Sequence, residues 1–140
     1  MGKVVLKSYG LKTPREGMID ITDTVRQALS DAMEEFNLTR EEANGNVIVF
    51  CPHTTAAITI NENADPDVQH DWLLGLNKAY DPRYIHAEGN SPAHMKSSVV
   101  GCSETVIVNQ GDLLLGMWQG IYFCEFDGPR NRTFYVQVNL

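Results

Sequence analysis

The 140-residue sequence predicts a single α+β domain over residues 1–140, with antiparallel sheet dominant and helices on one side of it. Three observations carry this. Two segments repeat their apolar residues at helical spacing, and the last forty residues are short apolar runs separated by turn residues. Strands and helices also fail to alternate in the regular order of a parallel sheet.

In chain order, Val4 to Tyr9 reads as a first strand and Gly17 to Ile21 as a second, joined by Thr13-Pro14-Arg15-Glu16 into an opening hairpin. Thr22 or Asp23 then caps a helix whose Val25, Ala28, Leu29, Ala32, Met33 and Phe36 form one apolar stripe. Val47 to Cys51 is too continuously apolar for a half-exposed strand, and Ala56 to Ile60 is its expected partner. Asp65 as N-cap and Pro66 at the first helical position open a second helix, with Val68, Trp72, Leu73 and Leu76 on its buried face. Asn77 to Pro92 is the longest aperiodic stretch, a length that signals a functional loop. Ser91 and Pro92 start a short helix ending at Gly101, and strands follow at Thr105 to Val108, Leu113 to Leu115, Trp118 to Phe126 and Thr133 to Val138.

Composition narrows the function. A formal charge of −7 with scattered Lys and Arg argues against phosphate-driven nucleic-acid binding. No apolar run approaches membrane-spanning length, and Met1 to Leu6 lacks a signal peptide's apolar stretch, so the cytoplasm is the expected compartment. Cys51, Cys102 and Cys124 are odd in number and widely spaced, so they are expected to be small buried residues without a disulfide framework.

The chemistry concentrates in His86-Ala87-Glu88-Gly89-Asn90-Ser91-Pro92-Ala93-His94 and in Pro52-His53-Thr54-Thr55. Imidazoles at turns converge on ligands more readily than they pack a core. His53, His86 and His94 are candidate ligands for a divalent metal ion, zinc by donor type, with Glu62 or Glu88 as a further ligand or base. Their spacing matches no specific zinc motif. Asp65 and Asp67 are explained by the helix dipole, whereas Asp71, one turn further on, points either to a pocket or to water. Asn90 and Ser91, at a helix start after Gly89, either cradle an anion or cap a loop. Arg130 is a fork for a carboxylate or phosphate, and Trp118 is either a stacking surface or core.

Six ordered motifs together carry a resemblance: His53-Thr54-Thr55-Ala56-Ala57-Ile58; Ile60-Asn61-Glu62; Asp65-Pro66-Asp67-Val68; His86 to Asn90 with Ala93-His94; Gly111 to Gln119; and Asp127-Gly128-Pro129-Arg130. From Val4 to Val138 the sequence resembles the YjbQ family of secondary thiamine phosphate synthase enzymes. The resemblance implies a sandwich of mainly antiparallel β-sheets with flanking α-helices, a homotrimer, a histidine-lined metal site and a weak ability to join the two halves of thiamine phosphate.

On that basis the expected reaction is loss of diphosphate from an aminopyrimidine methyl diphosphate and capture of the resulting cation by a thiazole phosphate nitrogen. Glu62, Asp71, Glu88 and Arg130 are the expected catalytic residues, and His53, His86 and His94 the metal ligands. Thr54, Asn90, Ser91, Trp118, Gln119 and Asp127 are expected to bind a small phosphorylated substrate. Three histidines favour zinc, whereas diphosphate departure favours magnesium. Two alternatives stand beside this reading: a metal-dependent hydrolase of a small phosphorylated or amide substrate, and a trimeric metal- or anion-binding regulatory protein without turnover.

Overall fold

Residues along Val4–Lys12 (β1) alternate between exposed and half-buried, the period-two pattern of a strand covering a core with one face. The computed structural model describes residues 2–80 and 85–140. Among these, seven further strands follow: Gly17–Asp20 (β2), Gly45–Phe50 (β3), Ala56–Glu62 (β4), Ser103–Asn109 (β5), Asp112–Leu113 (β6), Gln119–Glu125 (β7) and Asn131–Asn139 (β8). The helices are Thr22–Glu35 (α1), Pro66–Lys78 (α2) and Ser91–Val100 (α3). The fold is α+β, with a five-stranded antiparallel sheet ordered β1-β8-β3-β5-β6 and a three-stranded antiparallel sheet ordered β2-β7-β4.

The two sheets share one core. Val25, Ala28, Leu29 and Ala32 of α1 pack with inward residues of the large sheet, among them Val49, Val106 and Phe134, and with Ile58, Ile121 and Phe123 of the small one. Burial of Phe123 and Phe134, whose rings lie 6.1 Å apart, contributes about 2–3 kcal/mol each. The other face of the small sheet carries Ala57, Tyr122 and Cys124, which pack with Trp72, Leu73 and Leu76 of α2 and Ala93 of α3. The helices therefore occupy two different layers, contrary to the expectation that all lie on one side.

Pairing departs further from the sequence reading. β1 and β2 do not form a hairpin: β1 pairs with β8 from Val4↔Asn139 to Lys12↔Asn131, and β2 pairs with β7. Nor do β3 and β4 pair, because β3 lies between β8 and β5 while β4 lies beside β7. β3 is also half-exposed. Val47 and Val49 are fully buried, while Ile48 and Phe50 face outward, where Phe50 is exposed.

The N-cap position of α1 is Ile21, not Thr22 or Asp23, and it is Asp20, one residue earlier, whose Oδ1 accepts the Thr22 N–H at 2.9 Å and the Thr22 hydroxyl at 2.5 Å. Asp65 caps α2 as its sequence suggests, accepting the Asp67 N–H at 2.9 Å. The apolar stripe of α2 is only half-buried, and the capping position of α3 is Asn90, one residue before the expected Ser91. The long aperiodic stretch shortens, since α2 runs to Lys78 and α3 begins at Ser91; its residues 81–84 lie outside the described set. No helix is long and apolar enough to cross a membrane, among the described residues.

Candidate functional site

Three connections carry the chain from the large sheet to the small one or back at the same end of the sandwich: β1 to β2, β3 to β4, and β7 to β8. Their proximity follows from register, because Gly17 and Ala56 both lie opposite Glu125, and Lys12 opposite Asn131. Thr13, His53 and Thr55, and Asp127 and Arg130 lie on these crossings.

A buried ion pair ties the crossings together. Arg132 donates to Glu125 through Nε at 2.7 Å and Nη2 at 2.5 Å, and through Nη2 to Thr55 Oγ1 at 2.8 Å. The Thr13 hydroxyl donates to Glu125 Oε1 at 2.5 Å, and the Asp127 N–H donates to Oε2 at 3.0 Å. Burial alone would raise the pKa of Glu125, but the donors from Arg132, Thr13 and Asp127 hold it below the ordinary carboxylate range. Sequence reasoning missed both residues. The available signal was charge at an inward strand position: Arg132 shares its face with Phe134, Val136 and Val138.

Above this pair opens a cleft of about 450 Å³ lined by Pro52, His53, Thr54, Thr55, His86, Glu88, Asn90, His94, Arg130 and Arg132. The three histidines, Thr54, Glu88, Asn90 and Arg130 all come together here, and Ser91 lines an adjoining groove with His86, His94 and Met95. The His86 and His94 rings meet edge to face with centroids 5.3 Å apart. His53 is half-buried, and its Nε2 lies 2.9 Å from the Thr133 N–H and 3.1 Å from the Thr133 carbonyl. Burial first, then the Arg132 charge, pushes its pKa below the ordinary histidine value, favouring the neutral ring.

Asp127 holds the cleft wall rather than presenting a free carboxylate. Its Oδ2 accepts Asn90 Nδ2 at 2.8 Å and Arg130 Nη2 at 2.9 Å, and its carbonyl accepts Arg130 Nε at 2.8 Å. Burial would raise the Asp127 pKa, but the Asn90 and Arg130 donors lower it on balance.

Four predicted site residues lie elsewhere in the fold. Glu62 pairs with Gln119 at the far end of the ladder whose near end is Ala56↔Glu125, about 20 Å away at the rise of a strand. The expectation that Glu62 neighbours the histidines is thereby corrected. Gln119 Oε1 accepts the Gly116 N–H at 2.7 Å and closes the turn before β7. Trp118 is neither cleft wall nor core: it is 59% exposed at that same far end. Asp71 is exposed on α2, with Oδ1 3.0 Å from His70 Nδ1.

Two cysteines are buried as expected; burial pushes the Cys51 thiol up to about 11 and the Cys124 thiol to about 12. Cys102, against expectation, is exposed.

Imidazoles are the donor type a zinc-like ion requires. The arrangement does not fit one as it stands. Among the described residues no three His, Cys, Asp or Glu side chains lie close enough together to hold an ion, and His53 Nε2 is engaged by the Thr133 backbone.

An α+β sandwich whose sheet crossings converge on a polar cleft of histidine, arginine and asparagine is the class of protein these features define. The family described as UPF0047 protein YjbQ-like matches residues 7–139, and the chain belongs to that family. It is 51% identical to UPF0047 protein YugU of Bacillus subtilis over 138 residues, covering 96% of this chain and 98% of that one. It is 47% identical to a UPF0047 protein of Methanocaldococcus jannaschii over 137 residues, covering 96% and 94%. Among solved structures, an uncharacterized conserved protein of the YjbQ/UPF0047 family from Clostridium acetobutylicum superposes with a TM-score of 0.85 at 49% identity, covering 94% of this chain and 98% of that one.

Proposed function

We propose that the cleft binds a small phosphorylated molecule and catalyses a transfer of thiamine phosphate synthase type. The observation that supports this is the convergence of three imidazoles, Asn90 and Arg130 in one cleft sized for a small ligand. In the proposed reaction the bond between the pyrimidine methylene carbon and a diphosphate oxygen breaks, and the carbon–nitrogen bond to the thiazole phosphate forms. No proton need be removed. What the transition state demands is stabilisation of the departing diphosphate, which Arg130 offers as a guanidinium fork oriented by Asp127, with a ring N–H of His86 or His94 as a further donor.

A second reading has one observation in its favour. His53 is held towards its neutral form, the form that can act as a base; its Nε2 lone pair accepts the Thr133 N–H at 2.9 Å, so it takes up a proton only once that bond opens. Proton removal from water serves hydrolysis of a phosphorylated or amide substrate rather than capture of a carbocation.

One assay separates these readings: purified protein with both thiamine precursors, or with phosphomonoesters and amides, with and without added zinc or magnesium. Thiamine phosphate formation falling at least about 100-fold in His94→Ala and Arg130→Met supports the transfer. Hydrolysis that His53→Ala abolishes, without thiamine phosphate formation, replaces it with the second reading. Ligand binding without turnover of any substrate sinks both in favour of a binding protein. A rate dependent on zinc, with zinc retained by untagged protein, adds an ion held after rearrangement of His53, His86 and His94.

The proposed assembly is a homotrimer. It is supported by the outer face of the large sheet, where Leu6, Ile48, Phe50 and Tyr135 line one groove and Val4, Leu6 and Ile107 are each about 60% exposed. Light scattering should give three times the chain mass of 15.6 kDa, and a monomer at micromolar concentration overturns it.

A further inference from the structure

Asn90 is pinned twice. Its backbone carbonyl accepts the Ala93 N–H at 3.0 Å and the His94 N–H at 3.3 Å in the first turn of α3, so its main chain cannot shift without loosening that helix. Its side-chain amide is fixed by the 2.8 Å bond from Nδ2 to Asp127 Oδ2, since only the NH₂ end of an amide can donate to a carboxylate. The other end is thereby oriented as well. Asn90 Oδ1 is buried and has no hydrogen-bond partner, the one such side-chain atom among the described residues, and Asn90 lines the cleft. An oriented acceptor left unpaired costs free energy that a complementary donor recovers, and it repels an anion.

We infer that Asn90 Oδ1 reads a hydrogen-bond donor, an amino or hydroxyl group, on the cleft's ligand, while the ligand's phosphate lies towards Arg130. This rests on the proposed phosphorylated substrate and sharpens it. On that reading the donor is the exocyclic amine of the aminopyrimidine, and the Asn90 helix start selects the ring rather than receiving the phosphate.

The test is calorimetric titration with two pairs of probes. One pair is 4-amino-2-methylpyrimidine-5-methyl phosphate and its analogue with hydrogen in place of the amine; the other is glycerol 3-phosphate and propyl phosphate. The wild-type protein should prefer the donor-bearing member of a pair by about 10- to 100-fold. Asn90→Leu, of similar size but with no acceptor, should erase that preference while still binding the other member. A preference confined to the glycerol pair supports Asn90 as a donor reader and sinks the aminopyrimidine substrate. No preference in either pair with wild-type protein, or one that persists in Asn90→Leu, overturns the inference.

Discussion

Arg132→Met is expected to destabilise the protein by about 3–5 kcal/mol at pH 7, because it leaves the fully buried Glu125 carboxylate without its cation. That is a large share of the roughly 5–15 kcal/mol available to an ordinary domain. The pH dependence identifies the cause. Glu125 has its folded pKa below the ordinary value, so in the wild type its contribution is present above the unfolded carboxylate pKa and is lost as pH falls through the folded pKa. In the variant the unpaired carboxylate is raised instead, and acid relieves it by protonation. Urea melts at pH 7 and pH 4.5 should show the gap between wild type and variant shrinking at the lower pH, and Glu125→Gln in the Arg132→Met background should recover much of the loss. An equal loss at both pH values, or one below about 1 kcal/mol, contradicts this account.

Gly128→Ala should be of comparable severity for a steric reason. A Cβ at position 128 would lie 1.7 Å from the Pro14 carbonyl oxygen and 2.9 Å from Glu125 Cγ. Nothing flexible can move aside: the nearest atom is backbone, and the Gly128 N–H donates to the Arg15 carbonyl at 2.7 Å. The β1–β2 and β7–β8 crossings must separate, which costs about 3 kcal/mol or more and lowers Tm by about 10 °C. Asp127 and Arg130 move with the crossing, so ligand affinity falls too. Calorimetry that finds the wild-type Tm in Gly128→Ala refutes the argument.

Much of the architecture was legible locally. The stripe Val25, Ala28, Leu29 and Ala32 is the buried face of α1, and each strand of the last forty residues lies within a few residues of its expected place. Partner choice was not legible. Thr13-Pro14-Arg15-Glu16 has the length and turn chemistry of a hairpin loop, but it joins strands of two sheets, and alternation fixes which face a residue takes without fixing which strand lies beside it. The run Val47 to Cys51 misled for a related reason: both faces of β3 are apolar although one is exposed. For the site, turn placement picked out His53, His86, Glu88, Asn90, His94 and Arg130, all of which line one cleft. Glu62 and Trp118 were grouped with them by residue type and motif order, neither of which carries a distance. Glu125 and Arg132 were given no role because Glu125 reads as the polar end of the apolar run of β7 and Arg132 as the polar start of β8.

The convergence of three sheet crossings has a thermodynamic consequence. His53 stands on one crossing and Arg130 on another, and each connects strands from opposite sheets, so the cleft exists only while the two sheets are docked. A ligand filling it binds the docked state alone, and its binding energy therefore opposes sheet separation by mass action. Saturation at 100 times Kd would add about 2.7 kcal/mol against global opening. Amide exchange should slow together in β4 and β8, strands that share no ladder, and the cleft's occupancy would be written into the slowest-exchanging core of both sheets.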